Sequence, residues 1–305
     1  MALPYRWQVR LDQFKNSLRG IFGGGGEQPR PKLCPACGAL VGVSATRCHE
    51  CGTSLRFSLA AITKKLPIFS GMTAPVSTTF LGLNFFLFAI QLMSTIQAGE
   101  AGGLNILWRL DPVASYRLGM NFGPAIFLEH QWWRLITAMF LHGGLIHIGF
   151  NMMALMQFGP AVEELYGSPR FLFLYTFTGA FGFLVSAGVG HHPSLGASGA
   201  LLGILGAILA ITTKRGGAYM RDLRSRLISS LGFLLLLGFM PGVNIDNWAH
   251  AGGLAAGFVL GKIFVDREPV NNTEKFRAQV LGWIAGLTIV ASFVLMILHF
   301  RDYAS

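Results

Sequence analysis

The sequence predicts an all-α, polytopic membrane protein with a small four-cysteine zinc ribbon ahead of its first span, and three observations carry that expectation. Of 305 residues, 52% are hydrophobic and 12% are charged, against roughly 25% charged in ordinary soluble domains. Seven apolar segments, at about 77–97, 145–165, 171–189, 198–213, 227–243, 247–265 and 278–299, are long enough or nearly long enough to cross a bilayer. The connections between them carry positive charge on alternate sides, as a chain threaded through a membrane does. The 39 glycines fit the same class, because Gly is commoner in membrane helices than in soluble ones.

Ahead of the spans, residues 5–22 read as an amphipathic helix. Trp7, Leu11, Phe14, Leu18 and Phe22 recur every three or four residues, while Arg6, Arg10, Lys15 and Arg19 fall largely on other faces. Such a helix either lies on an anionic membrane surface or packs on the module that follows. Gly23 to Gly26 form a flexible break, so that residues 1–26 are one unit of helix and linker. No secretory signal peptide is expected, since the basic N-terminus lacks an apolar core. Cys34, Cys37, Cys48 and Cys51 form two Cys-x-x-Cys pairs within residues 33–53, followed by Gly38 and Gly52. Two such knuckles converging on one ion supply the four thiolates of a structural zinc site; two disulfides or free thiols are the other reading. Residues 54–75 make a mixed linker.

Charge sets the orientation. With the N-terminus inside, the inner connections hold Arg170, then Lys214, Arg215, Arg221, Arg224 and Arg226, then Lys262, Arg267, Lys275 and Arg277. The outer connections around 190–197 and 241–246 hold no Lys or Arg, and 98–132 holds only Arg109 and Arg117. Positive charge gathers on the cytoplasmic side, so the N-terminus is expected there, in a multi-pass protein of a bacterial inner or plasma membrane. The cysteines then lie in a reducing compartment, which disfavours disulfides. Topology accounts for the net charge of +10, and no nucleic-acid partner is expected.

Polar groups inside spans are costly, and each is a functional candidate for that reason. The fourth segment opens Gly196-Ala197-Ser198-Gly199-Ala200, the sixth contains Trp248-Ala249-His250-Ala251-Gly252-Gly253, and the second carries His147 and Asn151 on one helical face. The 16 residues from Ser198 to Thr213 reach about 24 Å, short of a hydrocarbon core of about 30 Å. Ser198 is therefore expected below the outer surface, at a helix N-terminus, with His250, His147 and Asn151 at similar depth. Gly253, Gly257 and Gly261 repeat on the flank of His250, and Gly199, Gly203 and Gly206 on the flank of Ser198. Small residues at this spacing let two helices approach closely enough for the imidazole to reach the hydroxyl and activate it. The free amides of the helix start favour an oxyanion, to which His147 and Asn151 could also donate.

These residues resemble the rhomboid family of intramembrane serine proteases. The matching motifs are Gly196-Ala197-Ser198-Gly199, Ala249-His250-x-x-Gly253-x-x-x-Gly257, His147-x-x-x-Asn151 and Trp133-Arg134, in order, and the resemblance covers about 76–268. It implies a six-helix core with Ser198 and His250 as a catalytic dyad, and an oxyanion hole lined by His147, Asn151 and the Ser198 amide. His142 matches a further family histidine, Trp133-Arg134 a structural motif of a loop lying partly in the outer leaflet, and residues 276–300 an extra C-terminal span. The implied activity is cleavage of the transmembrane segments of membrane-protein substrates near the outer leaflet, within the lipid bilayer and with no catalytic cofactor. The amphipathic helix and ribbon lie outside that core, and a cytosolic partner of the ribbon is an open expectation.

Other readings stand beside these. Asp246, one turn before His250, is either the carboxylate of a triad or the N-cap of its helix. His191 and His192 sit in a surface loop without a His-Glu-x-x-His motif, so metal catalysis is not expected. Glu163 and Glu164 are expected to pair with Arg170. A non-catalytic relative that binds membrane clients typically lacks the serine or histidine, and this chain has both. A transporter would show paired repeats of interrupted helices, which the segments do not.

Overall fold

The computed structural model describes residues 32–34, 39–42, 45–50, 74–99, 106–190, 193–238 and 245–300. The expected amphipathic helix and Gly linker, Cys37, Cys51, His191, His192 and nearly all of the 54–75 linker lie outside the described residues. Contacts divide the chain into two compact units, Met1–Met72 and Thr73–Ser305.

In the first unit, β1 (Lys32–Leu33) pairs antiparallel with β2 (Leu40–Val41), Lys32 opposite Val41 and Leu33 opposite Leu40. The Cys34 N–H donates to the Ala39 carbonyl at 2.7 Å, next to the paired strands. Cys34, Val41 and Cys48 are buried together, flanked by Ala39 and Ala45.

The second unit is helical. In order it comprises α1 (Pro75–Gln97), α2 (Pro112–Arg117), α3 (Gly123–Phe127), α4 (Arg134–Thr137), a 3-10 turn (Ala138–Phe140), α5 (Leu145–Tyr166), α6 (Ser168–Gly188), α7 (Ser198–Lys214), α8 (Ala218–Leu237), α9 (Asn247–Ile263) and α10 (Asn272–Phe300). Among the described residues α1, α5, α6 and α10 are long and apolar enough to cross a membrane, and α7 is a shorter apolar helix of 17 residues. The expected segment at 227–243 is helical from Ala218 instead. Its first half carries Asp222 and Arg226, paired at 2.9 Å one turn apart. Such pairs support a helix that hydropathy alone does not mark.

One end of the bundle gathers the basic connections. Lys214 Nζ donates to the Phe264 carbonyl at 2.8 Å and Arg215 Nε to Asp266 Oδ2 at 2.6 Å, joining the end of α7 to the segment after α9. Arg170, at the start of α6, donates to the Arg267 carbonyl at 3.1 Å and lies over the Phe264 ring. The expected Glu163–Arg170 pair does not account for Glu163. Its carboxylate accepts from the Val76 and Ser77 N–H groups at 2.9 and 2.8 Å, and from the Ser77 and Ser168 hydroxyls at 2.8 and 2.7 Å. The first N–H groups of α1 have no partner within their own helix, and an ionised carboxylate is the strongest acceptor available to them. Thus α5 caps α1.

Arg134 organises the connection between α1 and α5. Fully buried, it lies 4.2 Å from the Tyr116 ring and 4.8 Å from the Trp133 ring. It donates to the Tyr116 and Met120 carbonyls and to Gln131 Oε1. Asp111 caps α2 through the Val113 and Ala114 N–H groups. α10 packs along α6 and reaches α4, with Phe293 against Phe140 at one level and His299 against Trp133 at another.

Candidate active site

The Arg134-centred connection delivers the backbone that precedes Ser198. Asn121 and Ser194 exchange N–H···O bonds of 2.9 and 3.0 Å, and the Gly196 N–H donates to the Ala138 carbonyl at 2.9 Å. Gly196 then turns the chain with φ +127, a conformation that strains any side chain, and α7 starts at Ser198. A Cβ at Gly196 would lie 2.7 Å from His147 Nε2, so the site demands glycine for space as well. Among the described residues no side-chain hydrogen bond caps the start of α7.

His250 comes from α9, which is wedged between α6 and α7 with backbone almost against backbone. A Cβ at Gly253 would run into the Gly199 carbonyl, one at Gly257 into the Gly203 carbonyl, and one at Gly206 into the Leu254 carbonyl. On the other side, a Cβ at Gly182 would strike the Ala249 carbonyl. The glycine repeats read from the sequence thus form the contact itself. Its outcome is a distance of 2.7 Å between Ser198 Oγ and His250 Nε2. His250 is buried and Ser198 half-buried.

His147 stands beside this pair. Its Nδ1 accepts the Gly143 N–H at 3.2 Å, which assigns the ring hydrogen to Nε2, the atom facing Gly196. Asn151 sits one turn further along α5 and gives one amide hydrogen to the His147 carbonyl at 2.9 Å. The structure therefore brings Ser198, His250 and His147 together, with Asn151 anchored below His147. Cys34 and Cys48 lie in the other unit. Asp246 is the N-cap of α9: Oδ1 accepts the Ala249 N–H at 2.9 Å, while Oδ2 accepts the Ser186 hydroxyl at 2.6 Å.

Two features were absent from the sequence reading. Ser186 carried no signal, being an ordinary small residue 60 positions from Asp246. Gln91 did carry one, since a glutamine inside an apolar span is a candidate by default. It is buried, its Oε1 accepting the His142 N–H at 2.9 Å and its Nε2 donating to Ser115 Oγ at 3.1 Å. His142 is also fully buried, its ring edge-on to His147 at 5.2 Å between centroids. A chain of polar groups thus runs from α1 and α2 to the back of His147.

Chemically, a hydroxyl within hydrogen-bond reach of an imidazole, beside an uncapped helix N-terminus and an N–H of a second imidazole, is an arrangement for acyl transfer. The comparisons with known proteins supply the family. Residues 129–267 match the model of the Rhomboid domain. The chain is 40% identical over 134 residues to Rhomboid protease GluP of Bacillus subtilis, covering 44% of this chain and 26% of that protein. It is 32% identical over 190 residues to Putative rhomboid protease YdcA of the same organism, covering 60% and 88%. To RHOMBOID-like protein 6, mitochondrial, of Arabidopsis thaliana it is 41% identical over 168 residues, covering 53% and 52%. The chain thus spans only part of two of these relatives and most of the third. With a relative matched over nearly its whole length and the family's domain matched across both Ser198 and His250, this chain belongs to the rhomboid family and is an integral membrane protein.

Proposed function

We propose that the protein is an intramembrane serine endopeptidase that cleaves the transmembrane segments of other membrane proteins near the outer leaflet, using Ser198 and His250 as a dyad. The observation that carries this reading is the 2.7 Å approach of Ser198 Oγ to His250 Nε2. In the resting pair the hydroxyl donates to an unprotonated Nε2, and the imidazole hydrogen resides on Nδ1. Ser198 Oγ attacks the scissile carbonyl carbon as its proton passes to Nε2. The oxyanion is received by the amides at the start of α7, by His147 Nε2–H and by the second hydrogen of the Asn151 amide. Collapse of the intermediate breaks the C–N bond, and the departing amine takes the proton from Nε2. Water then attacks the Ser198 ester, giving its proton to Nε2, and the serine recovers it on release. No cofactor takes part.

The substrate must reach this site from the bilayer and unwind, because a helical backbone keeps its carbonyls hydrogen-bonded. The 17 residues of α7 span about 26 Å, which supports a serine below the outer surface of a core of about 30 Å. The N-terminus is assigned to the cytoplasm, since Arg170, Lys214, Arg215 and Arg267 share the end of the bundle away from the serine.

We assign Cys34, Cys37, Cys48 and Cys51 to a structural zinc site that takes no part in catalysis. Its support is the burial of Cys34 and Cys48 in one small cluster beside a two-stranded hairpin, the setting of a knuckle. A bound zinc would cross-link the two knuckles. Metal analysis of the purified full chain is expected to give about one zinc per chain, lost in Cys34→Ser; a metal-free protein would remove the assignment.

The activity is tested by reconstitution with a single-span model substrate. The intact protein is expected to cut it, and Ser198→Ala to lower the rate by at least about 10³-fold. No cleavage by the intact protein, or equal cleavage by the variant, removes the protease reading.

A further inference from the structure

We infer that Ser186 and Asp246 are positioning residues: their hydrogen bond is a strut that fixes where α9 sits along its own axis, and so sets the reach of His250 to Ser198. The inference rests on the reading of Ser198 and His250 as the working pair.

The glycine contact fixes how far α9 stands from its neighbours, and polar ties at its two ends set its position along its own axis: Lys214 Nζ to the Phe264 carbonyl at the inner end and the Asp246 carboxylate at the outer end. Where Gly253, Gly257, Gly206 and Gly182 bring backbone against backbone, packing fixes the separation between helix axes. Sliding along an axis is resisted by side chains interlocked as ridges in grooves, and these glycines contribute none. A slide matters at the outer end, where His250 lies in the first turn of α9. A displacement of about 1 Å at a reacting group costs on the order of 100-fold in rate. The reference frame for such a slide is firm, because α6 and α7 are locked together: a Cβ at Gly203 would strike Thr178, and one at Gly179 would lie 3.0 Å from the Ala200 Cβ.

The strut bridges that frame to α9. Ser186, fully buried in the last turn of α6, donates to Asp246 Oδ2 at 2.6 Å, while Oδ1 of the same carboxylate accepts the Ala249 N–H at 2.9 Å. The His250 N–H in turn donates to the Asp246 carbonyl at 3.0 Å. One carboxylate therefore joins the end of α6, the start of α9 and, through one helical turn, the imidazole. Both of its oxygens are engaged in this way, as a fastening between two helices requires.

The test separates position from charge. In Asp246→Asn the amide Oδ1 can accept the Ala249 N–H and Nδ2 can donate to Ser186 Oγ, so the strut survives without the charge. The full-length protein in detergent is reacted with a fluorophosphonate that labels Ser198, and crystal structures of the variants give the Ser198–His250 separation. Ser186→Ala and Asp246→Ala are expected to slow labelling by on the order of 10 to 100-fold, with the Oγ–Nε2 separation beyond about 3.5 Å. Asp246→Asn is expected to stay within about threefold of the native rate, and the double alanine variant to be no slower than Asp246→Ala, as expected for partners in one bond. Native labelling in Ser186→Ala with the separation unchanged overturns the strut. So does an Asp246→Asn as slow as Asp246→Ala, which would place the effect in the charge. Ser186→Ala removes a single oxygen, so it still decides the matter if Asp246→Ala does not fold. If even the native protein fails to label, the protease reading falls, while the separations in the variant structures still judge the strut.

Discussion

Gly196 meets two demands at one backbone position. Its φ of +127 is strained for an L side chain, and His147 Nε2 occupies the space a Cβ would need. Gly196→Ala is expected to cost about 1–3 kcal/mol in backbone strain and to displace His147 or the start of α7. The checks are the thermal midpoint and the fluorophosphonate labelling rate, both of which should fall. At this scale the sequence was most legible where chemistry is expensive: a serine, two histidines and an asparagine within apolar segments stand out because lipid gives them no partners. Ser186 shows the limit of that reasoning. The partner of Asp246 is 60 positions away, and a small hydroxyl in a membrane helix looks like any other until the fold brings it to the carboxylate. Glu163 was visible as a charge at a helix end, yet its true partner is an unsatisfied backbone, which no side-chain pattern reports.

Between elements, the glycine seam and the Glu163 cap bear different loads. A methyl added at Gly257 meets the Gly203 carbonyl, and backbone cannot step aside as a side chain can. Gly257→Ala is expected to destabilise the core by about 1–3 kcal/mol, as overpacking does, and to slow Ser198 labelling by pushing α9 away from α7. Unfolding in detergent and labelling measure the two effects. Glu163→Gln replaces two ionised acceptors by one neutral one at the start of α1, and a loss of about 1–3 kcal/mol is expected; an unchanged unfolding midpoint would refute the cap. A weaker tie joins the end of α7 to the segment after α9. There the Arg215 guanidinium, donating to Asp266, holds that carboxyl below its ordinary value of 3.8. The folded value lies below the unfolded one, so the contribution is complete above the ordinary value and is lost as pH falls through the folded value. Both partners are partly exposed, so Asp266→Asn should destabilise only slightly at neutral pH, and its difference from the native protein should vanish as the pH is taken below the carboxylate range. The long apolar helices and the seam were legible in their 3.6-residue and every-fourth-glycine patterns. The short helices α2, α3 and α4 were not, since pieces of four to six residues are too brief to show a period.

For the whole molecule, the charge asymmetry makes a prediction that does not depend on catalysis. In intact, oriented cells or vesicles a membrane-impermeant thiol reagent added from outside should leave Cys34 unlabelled, and modification from that side would reverse the topology. A last consequence concerns time, and follows from α9 lying between α6 and α7. Ser198 and His250 are 52 residues apart in the chain, and a ribosome adding about 5–20 residues per second needs about 3 to 10 s to pass from one to the other. Throughout that interval the nascent chain holds a serine without its imidazole, and glycine faces on α6 and α7 with nothing yet pressed against them. The helix that fills the gap is the one that brings His250. Under the proposed dyad, closure of the core and arming of the nucleophile are therefore one event, and a chain halted before α9 would carry an unarmed serine.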